Sequence, residues 1–206
     1  MEDVRTEIRP YVAATQPPNQ FGIPEPPRLN MKDIEGLLSA CPLLKACFSE
    51  CLRLYSRPIA VREVKKGFSV TGDSSKESGK LPGQSFAMRL GTYLVAPLSL
   101  YNQDNGCFDT LEPFGPRRLL SLDQDGHQKC DISVLKPWAL DETACPGKGL
   151  AERQVLVFVA AILSLWDIDP AGLKGWSIPQ HAVFSVVAAP RRDFRVLIRA
   201  RVLSYG

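Results

Sequence analysis

The chain has 206 residues, 45% of them hydrophobic and 23% charged, which is enough for one globular domain or at most two small ones. Its net charge of +3 is weak and does not suggest a nucleic-acid-binding protein, which would need a concentrated basic face. Six cysteines are too few for a disulfide scaffold, so we expect reduced thiols.

The N-terminal part is predicted to hold a short helix, a loop and the start of another helix. Residues 2–9 can form the helix, which Pro10 ends. Five prolines within residues 14–29 indicate a loop. Asn30 can cap a helix that begins near Met31, because apolar residues follow at helical spacing.

A longer helix is predicted from Pro42 to about Tyr55. Its apolar stripe consists of Leu43, Leu44, Cys47, Cys51 and Leu54. The same helix contains Glu50-Cys-Leu-Arg53, in which glutamate and arginine three residues apart share one face and can pair. Taken alone, this pair is typical of a surface ion pair worth less than about 1 kcal/mol.

Short strands are predicted next, at Ile59–Val64, Gly67–Val70 and Phe86–Arg89. A polar hairpin tip, residues 72–79, separates the last two. Residues 93–96 form a further strand or lead into a helix.

Residues 102–136 are rich in turn formers and are predicted to be irregular. Such a length of irregular chain in a compact domain indicates that a site or cofactor organises it. It contains Phe114-Gly-Pro-Arg-Arg118, whose last guanidinium could reach a buried carboxylate with bidentate geometry.

A long helix is predicted from about Gly147 to Trp166, with Val155, Val159, Ile162, Leu163 and Trp166 on its buried face. Cys145 lies directly before it, followed by Pro146 at a position suited to a first turn. The positive end of the helix dipole stabilises a thiolate there, and the glycines that follow let a flat ligand approach the backbone. A small buried cysteine at a helix start is the alternative.

The C-terminal tail alternates apolar and polar residues over Val183–Ala188 and Phe194–Leu203, which predicts a hairpin. The longest apolar run, Val155–Leu163, is half of a membrane span, and acidic residues follow Met1 closely. We therefore expect an intracellular protein with no membrane anchor or secretory signal in this chain. His127 and His181 lack metal-ligand spacing and are interpreted as surface or turn residues.

The three motifs in this order resemble those of the cytochrome P450 family, including its eukaryotic and fungal members. Glu50-Cys-Leu-Arg53 resembles the Glu-x-x-Arg signature of the family's K helix, and Arg118 lies in the segment that completes a triad with it. Trp138-Ala-Leu-Asp-Glu-Thr-Ala-Cys145-Pro-Gly147 is similar to the haem-binding loop that leads into the L helix. The resemblance covers nearly the whole chain.

The resemblance implies an α+β fold, mainly α-helical, with short antiparallel strands, and the cofactor haem b. Cys145 would be the iron ligand, whose electron donation favours cleavage of the oxygen–oxygen bond. Trp138 and Gly147 would line the haem, and Arg62 would face a propionate. Glu50, Arg53 and Arg118 would form a buried structural triad, and no catalytic residue is assigned. The strands near residues 59–70 and the final hairpin would help to line a substrate pocket.

Several positions depart from the family's pattern. Trp138 replaces a phenylalanine, Asp141 a glycine and Thr143 a basic residue that hydrogen-bonds a propionate. Family members are about twice this length, and the I helix with everything before it has no counterpart here. We therefore expect residues 1–206 to be a partial domain, from the J to the L helix and the C-terminal hairpin, so that Met1 need not be the true start.

The resemblance implies a haem-thiolate monooxygenase that inserts one oxygen atom from dioxygen into a lipophilic substrate, with electrons from an NADPH-dependent reductase. The sequence of residues 151–162 resembles members that act on sterols, terpenoids or fungal secondary metabolites. Because the distal, oxygen-activating half is missing from the pattern, two alternatives stay open. One is a truncated, inactive remnant. The other is a haem-binding half-module that a second chain completes.

Overall fold

A computed structural model describes residues 1–56, 59–71, 84–103, 114–138, 144–171, 181–182, 189–191, 193, 195–201 and 203. The helices are α1 Glu2–Ile8, α2 Ile34–Ala40, α3 Pro42–Tyr55, α4 Leu98–Tyr101 and α5 Lys148–Leu165, with a 3-10 helix at Pro116–Leu119. The strands are β1 Val12–Thr15, β2 Arg28–Met31, β3 Ile59–Glu63, β4 Phe68–Thr71, β5 Ser85–Met88, β6 Tyr93–Pro97, β7 Leu120–Leu122, β8 Gln128–Cys130, β9 Trp166–Pro170, β10 His181–Ala182, β11 Ala189–Pro190 and β12 Val196–Ala200. Helices mixed with short antiparallel strands confirm the predicted α+β class.

The core lies between α1, α2, α3 and α5. Its buried members are Val4, Ile8, Val12, Leu37, Cys41, Leu43, Leu44, Leu156 and Ala160. A smaller cluster, Ala46, Leu119 and Leu135, joins α3 to the 3-10 helix and the segment that follows β8. Removing these apolar side chains from water provides the main driving force for packing α3 between the helical core and the smaller cluster.

Helix α3 begins and ends as predicted. Pro42 is its first residue, where the missing N–H costs nothing, and Ser56 is extended at its end. The interhelical contacts of α3 bury Leu43, Leu44, Ala46, Ser49, Glu50 and Arg53, whereas Cys51 is exposed. The predicted apolar stripe was therefore wrong at Cys51, because the buried face of α3 is centred on Ala46, Glu50 and Arg53, away from this cysteine.

The predicted helix start near Met31 was wrong. Asn30 and Met31 belong to β2 and pair with Ala13 and Val12 of β1. Helix α2 begins instead at Ile34, capped by Asp33, whose carboxylate accepts a hydrogen bond from the Gly36 N–H at 2.8 Å. A strand partner distant in sequence decided the conformation of Met31, which local spacing could not reveal.

Helix α5 forms where predicted, but its buried face differs. Leu156 and Ala160 are buried, while Val155 and Trp166 are 38% and 36% exposed. The helix is apolar all round from Val155 to Leu163, so several faces were compatible with the sequence, and packing against α1, α2 and α3 selected one. Within the described residues, no helix combines the length and apolarity needed to cross a bilayer.

The strands form two-stranded antiparallel sheets. β3 pairs with β6 around the β4–β5 hairpin, so the predicted strands are confirmed and residues 93–97 are a strand. The described parts of the segment 102–136, residues 102–103 and 114–136, are less irregular than predicted, because β7 and β8 form a hairpin over Asp125-Gly126, with φ +81° at Gly126. An Asp-Gly pair between alternating residues favours such a turn and could have predicted it.

The described part of the C-terminal tail contains a strand pairing that the sequence did not predict. β12 pairs with β9, directly after α5, and Ile198 faces Ile168 in the register. β10 pairs with β11. Residues 183–188 and Phe194 lie outside the described residues. Of the region of the predicted hairpin, the structure therefore describes only the strands β10, β11 and β12.

Candidate functional site

Glu50 and Arg53 form a buried, two-pronged ion pair on α3. Arg53 Nε donates to Glu50 Oε2 and Arg53 Nη2 to Oε1, both at 2.9 Å. The Glu50 side chain is 0% exposed and that of Arg53 1%. The surface ion pair considered from the spacing alone is therefore excluded. A planar guanidinium matches a carboxylate in this way only if both are held in place by their surroundings.

Arg118, from the 3-10 helix, contacts the same carboxylate. Its Nε lies 3.3 Å from Glu50 Oε1 and also donates to the Gly115 carbonyl at 3.0 Å. The Gly115 N–H donates to Glu50 Oε1 at 3.0 Å. A Cβ on Gly115 would lie 2.5 Å from Arg118 Nη2, so a side chain there would push the guanidinium away. The sequence motif contained Gly115, but only the tertiary structure shows its contact with Glu50.

The pKa of Glu50 is lowered by its partners. Burial is the largest single effect on this carboxyl, and by itself it would raise the pKa. The hydrogen bonds from Arg53 and the Gly115 N–H, with the positive charges of Arg53 and Arg118, outweigh burial and lower the pKa below 4.5. The carboxylate is thus held in its charged form.

Cys145 lies just before α5 and is exposed. Its N–H donates to the Trp138 carbonyl at 2.9 Å, which closes a loop, and its carbonyl accepts from the Lys148 N–H at 3.2 Å. The alternative of a buried structural cysteine is therefore wrong. Burial raises the pKa of Cys41 to about 12 and that of Cys47 to about 11, so these thiols resist the ionisation that metal ligation requires.

Trp138 comes before Cys145 in the sequence, and Gly147 comes after it. The half-buried Trp138 ring packs on Phe48 of α3, with centroids 6.3 Å apart and planes tilted by 41°. Gly147 caps α5 with φ −82°, a conformation open to any residue. A Cβ there would lie 3.8 Å from Cys145 Sγ, an ordinary van der Waals contact, so a side chain at this position would touch the sulfur without a clash.

Arg62 is not brought to this site by any described contact. It lies on β3, paired in register with Leu94, and its exposed guanidinium donates to the carbonyl of Val61 at 2.8 Å. Residues 139–143, which include the departures at Asp141 and Thr143, lie outside the described residues.

The described residues offer one group, the Cys145 thiol, that could ligate a haem iron. An exposed sulfur on a loop closed by a backbone hydrogen bond can approach an iron without moving the core. A separate cavity of about 670 Å³ lies between α1, α3, the 3-10 helix and α5. Val4, Leu43, Val159 and Arg118 are among its lining residues, and Cys145 is not, so this cavity does not serve the thiol.

The tip of the β7–β8 hairpin gathers Asp123, Asp125 and His127, whose ligand atoms lie within 4.8 Å of one another. Sequence spacing had not suggested this cluster. One carboxylate oxygen of Asp123 already accepts hydrogen bonds from the N–H groups of Asp125 and His127, as expected for a turn. All three side chains are exposed, consistent with the surface position predicted for His127.

No protein-family profile matches this chain. It is similar to cytochrome P450 monooxygenase poxD of Penicillium oxalicum, with 29% identity over 151 residues, covering 73% of this chain and 29% of that protein. Cytochrome P450 monooxygenase nodJ of Hypoxylon pulicicidum is 23% identical over 98% of this chain and 37% of its own length. The 25-hydroxycholesterol 7-alpha-hydroxylase of Rattus norvegicus is 23% identical over 98% of this chain and 46% of its own.

The fold is similar to that of a zebrafish cytochrome P450 whose structure was determined with abiraterone. The TM-score is 0.65 at 22% identity, and the match covers 98% of this chain and 40% of the other. This chain thus spans less than half the length of the relatives and of the structure that it matches.

Proposed function

We propose that this chain, a relative of the cytochromes P450 by sequence and fold, holds haem b with Cys145 as the iron ligand. The observation that carries the proposal is the exposed Cys145 sulfur, on a loop that the Cys145–Trp138 hydrogen bond closes in front of α5. Trp138 and Gly147 would lie against the macrocycle. Arg62 would pair with a propionate once that group is present.

The triad would act at a distance from the iron. Glu50, Arg53 and Arg118 tie α3 to the 3-10 helix through one buried carboxylate. Trp138 packs on Phe48, which belongs to the same helix as Glu50 and Arg53. The triad would therefore keep the segment before Cys145 fixed while the cysteine itself stays accessible.

The activity proposed for the protein is that of a monooxygenase. When bound, a haem with a thiolate ligand supplies the activation of dioxygen. One oxygen atom would enter a lipophilic substrate, with electrons from an NADPH-dependent reductase. One relative is a 25-hydroxycholesterol 7-alpha-hydroxylase, which supports a sterol as the substrate. The resemblance of residues 151–162 extends the proposed substrate class to terpenoids and fungal secondary metabolites.

A second candidate is a haem-binding module completed by further polypeptide. Leu150 and Phe158 of α5 are 63% and 66% exposed, although the helix is the most apolar segment of the chain. Large apolar side chains in such positions mark surfaces that other protein covers. Residues 1–206 would then be the J to L helix portion and C-terminal strands of a P450 domain that acts inside the cell, with further polypeptide covering α5.

The test is spectroscopic. The purified chain is titrated with hemin, reduced and exposed to carbon monoxide. A thiolate-type Soret band is expected for the wild type and for Cys51→Ala, which removes another exposed thiol, and not for Cys145→Ala. A folded wild-type protein without the band, or a band that survives Cys145→Ala, contradicts the proposal.

Turnover separates the two candidates. Dioxygen-dependent oxidation of NADPH with an added reductase and a sterol supports a self-sufficient monooxygenase. Thiolate-type haem binding without turnover supports the module.

A further inference from the structure

Asn102, the residue after α4, contacts both the buried ion pair and the segment that leads to Cys145. It is fully buried. Its backbone carbonyl accepts a hydrogen bond from Arg53 Nη1 at 3.4 Å. Its side-chain Oδ1 accepts from the Lys136 N–H at 2.9 Å. Asn102 thus links α3 to the segment that follows β8 in the sequence.

The path from Lys136 to the cysteine is short and stiff. Pro137 has a fixed φ and is followed by Trp138. The Trp138 carbonyl accepts the hydrogen bond from the Cys145 N–H. A displacement of the Lys136 backbone would therefore move the acceptor that closes the cysteine loop.

The side-chain amide of Asn102 has a single orientation that suits its neighbours. Its Nδ2 is buried and, within the described residues, has no hydrogen-bond partner. Rotating the amide by 180° would place Nδ2 against the Lys136 N–H, donor against donor, so the observed orientation is fixed. An unpaired buried donor lowers stability, and the hydrogen bond that Oδ1 accepts from Lys136 offsets part of that cost.

We propose that Asn102 is a positioning residue that holds the Trp138 carbonyl, and through it Cys145, in place relative to the Glu50–Arg53 pair. The inference rests on the proposed function for what the thiol does, and on the contacts of Asn102 alone for how the thiol is held. Neither motif of the triad contains this residue.

Amide hydrogen exchange of the full-length chain, measured by NMR, tests the mechanical part. Asn102→Ala is expected to speed exchange at the Lys136 and Cys145 amides by about tenfold, while α3 amides exchange as in the wild type. The matched control is Gln103→Ala, which removes a neighbouring amide that bonds to the Leu54 carbonyl on α3, at 3.4 Å. It should leave both amides unchanged.

Faster exchange at Lys136 alone, or equal effects of the two variants at Cys145, overturns the proposal. Should Asn102→Ala not fold, Asn102→Asp keeps an acceptor for Lys136 and is expected to preserve protection at both amides. Loss of Cys145 protection in folded Asn102→Asp protein also overturns it.

A second measurement connects Asn102 to the haem. If the wild type gives the thiolate-type band, Asn102→Ala is expected to lower the fraction of thiolate-ligated haem several-fold, with restoration by Asn102→Asp. An unchanged fraction in Asn102→Ala overturns the proposal. If the wild type binds no haem, the proposed function fails, while the exchange experiment still decides the role of Asn102.

Discussion

At the scale of single residues, the main feature is an ion pair placed in the core. Glu50 and Arg53 lose almost all contact with water, and the double hydrogen bond between them replaces their hydration. Such a pair is worth little compared with a well-packed apolar pair, but a single charge left behind is costly. The triad therefore specifies the position of the 3-10 helix more than it adds net stability.

Removing one of the two buried charges should therefore cost more stability than the intact pair contributes. Arg53→Met keeps the length of the side chain but leaves Glu50 with Arg118 as its charged partner, so we expect a loss of about 3–5 kcal/mol in the free energy of unfolding. Arg153→Met, which breaks an exposed ion pair with Glu35 on the helical surface, should cost less than about 1 kcal/mol. Urea denaturation measures both, and equal losses would contradict the buried role.

The low pKa of Glu50 predicts a pH dependence with a defined sign. Because the pKa in the folded state lies below its ordinary value of 4.5, the charged carboxylate contributes stability above pH 4.5. That contribution is lost as the pH falls through the folded pKa. Asp123 and Asp131 also have pKa values lowered from 3.8, by backbone hydrogen bonds first, so their contributions are present above pH 3.8 and are lost as the pH falls through their folded pKa values.

Unfolding titrations of the wild type and Glu50→Gln between pH 6 and pH 3 separate these contributions. The wild type should lose more stability than the variant on acidification, since both retain Asp123 and Asp131. Parallel curves would mean that Glu50 has the same pKa in the folded and unfolded chains.

At the scale of elements, side chains of α1 provide hydrogen-bond partners for the backbone groups at the start of α3 and at the end of α5. Cys41, the residue before α3, makes no side-chain cap. The Glu7 carboxylate of α1 takes that role, accepting from the N–H groups of Leu43 at 2.9 Å and Leu44 at 2.8 Å. At the other end of the core, Arg5 donates to the Leu163 and Trp166 carbonyls at the end of α5. Helix α1 thus fixes the two longest helices.

Glu7→Ala should destabilise the fold by about 1–2 kcal/mol, the usual cost of a lost cap, because two backbone donors lose their acceptor. Glu7→Gln retains an oxygen and should cost less. Glu35→Ala, at an exposed carboxylate in the first turn of α2, is the control and should have little effect. Thermal unfolding gives the order, and a control variant as unstable as Glu7→Ala would refute the capping role.

At the scale of the whole molecule, the described residues leave many large apolar side chains exposed to water. These side chains lie on α5 and on the β3–β6 and β4–β5 sheets, and they include Phe158, Val61, Val95, Phe68 and Phe86. Exposed apolar patches of this kind promote association.

The isolated chain is therefore expected to self-associate and to have low solubility. Phe158→Lys should raise the monomer fraction in size-exclusion chromatography with light scattering. Because Phe158 is 66% exposed, its replacement should change the free energy of unfolding by less than about 0.5 kcal/mol. A monodisperse wild-type monomer with a sharp melting transition would count against this prediction.

The amino-acid sequence was enough to predict helix α3, the extent of α5, the strands β3, β4 and β5, and the identity of the three motifs. These follow from local rules: proline at a first turn, apolar periodicity, and turn residues between alternating segments. It also identified Glu50, Arg53, Arg118 and Cys145, because their spacing matches motifs that recur in one family.

The tertiary structure alone decided which face of α5 is buried, that Met31 is in a strand, and that β12 pairs with β9. It alone showed that Glu7 caps α3 and that Asn102 joins Arg53 to Lys136. These last hydrogen bonds link residues separated by 34 or more positions, so no local pattern encodes them. Their geometry arises only when burial of apolar surface brings the elements together and leaves each polar group to find its partner.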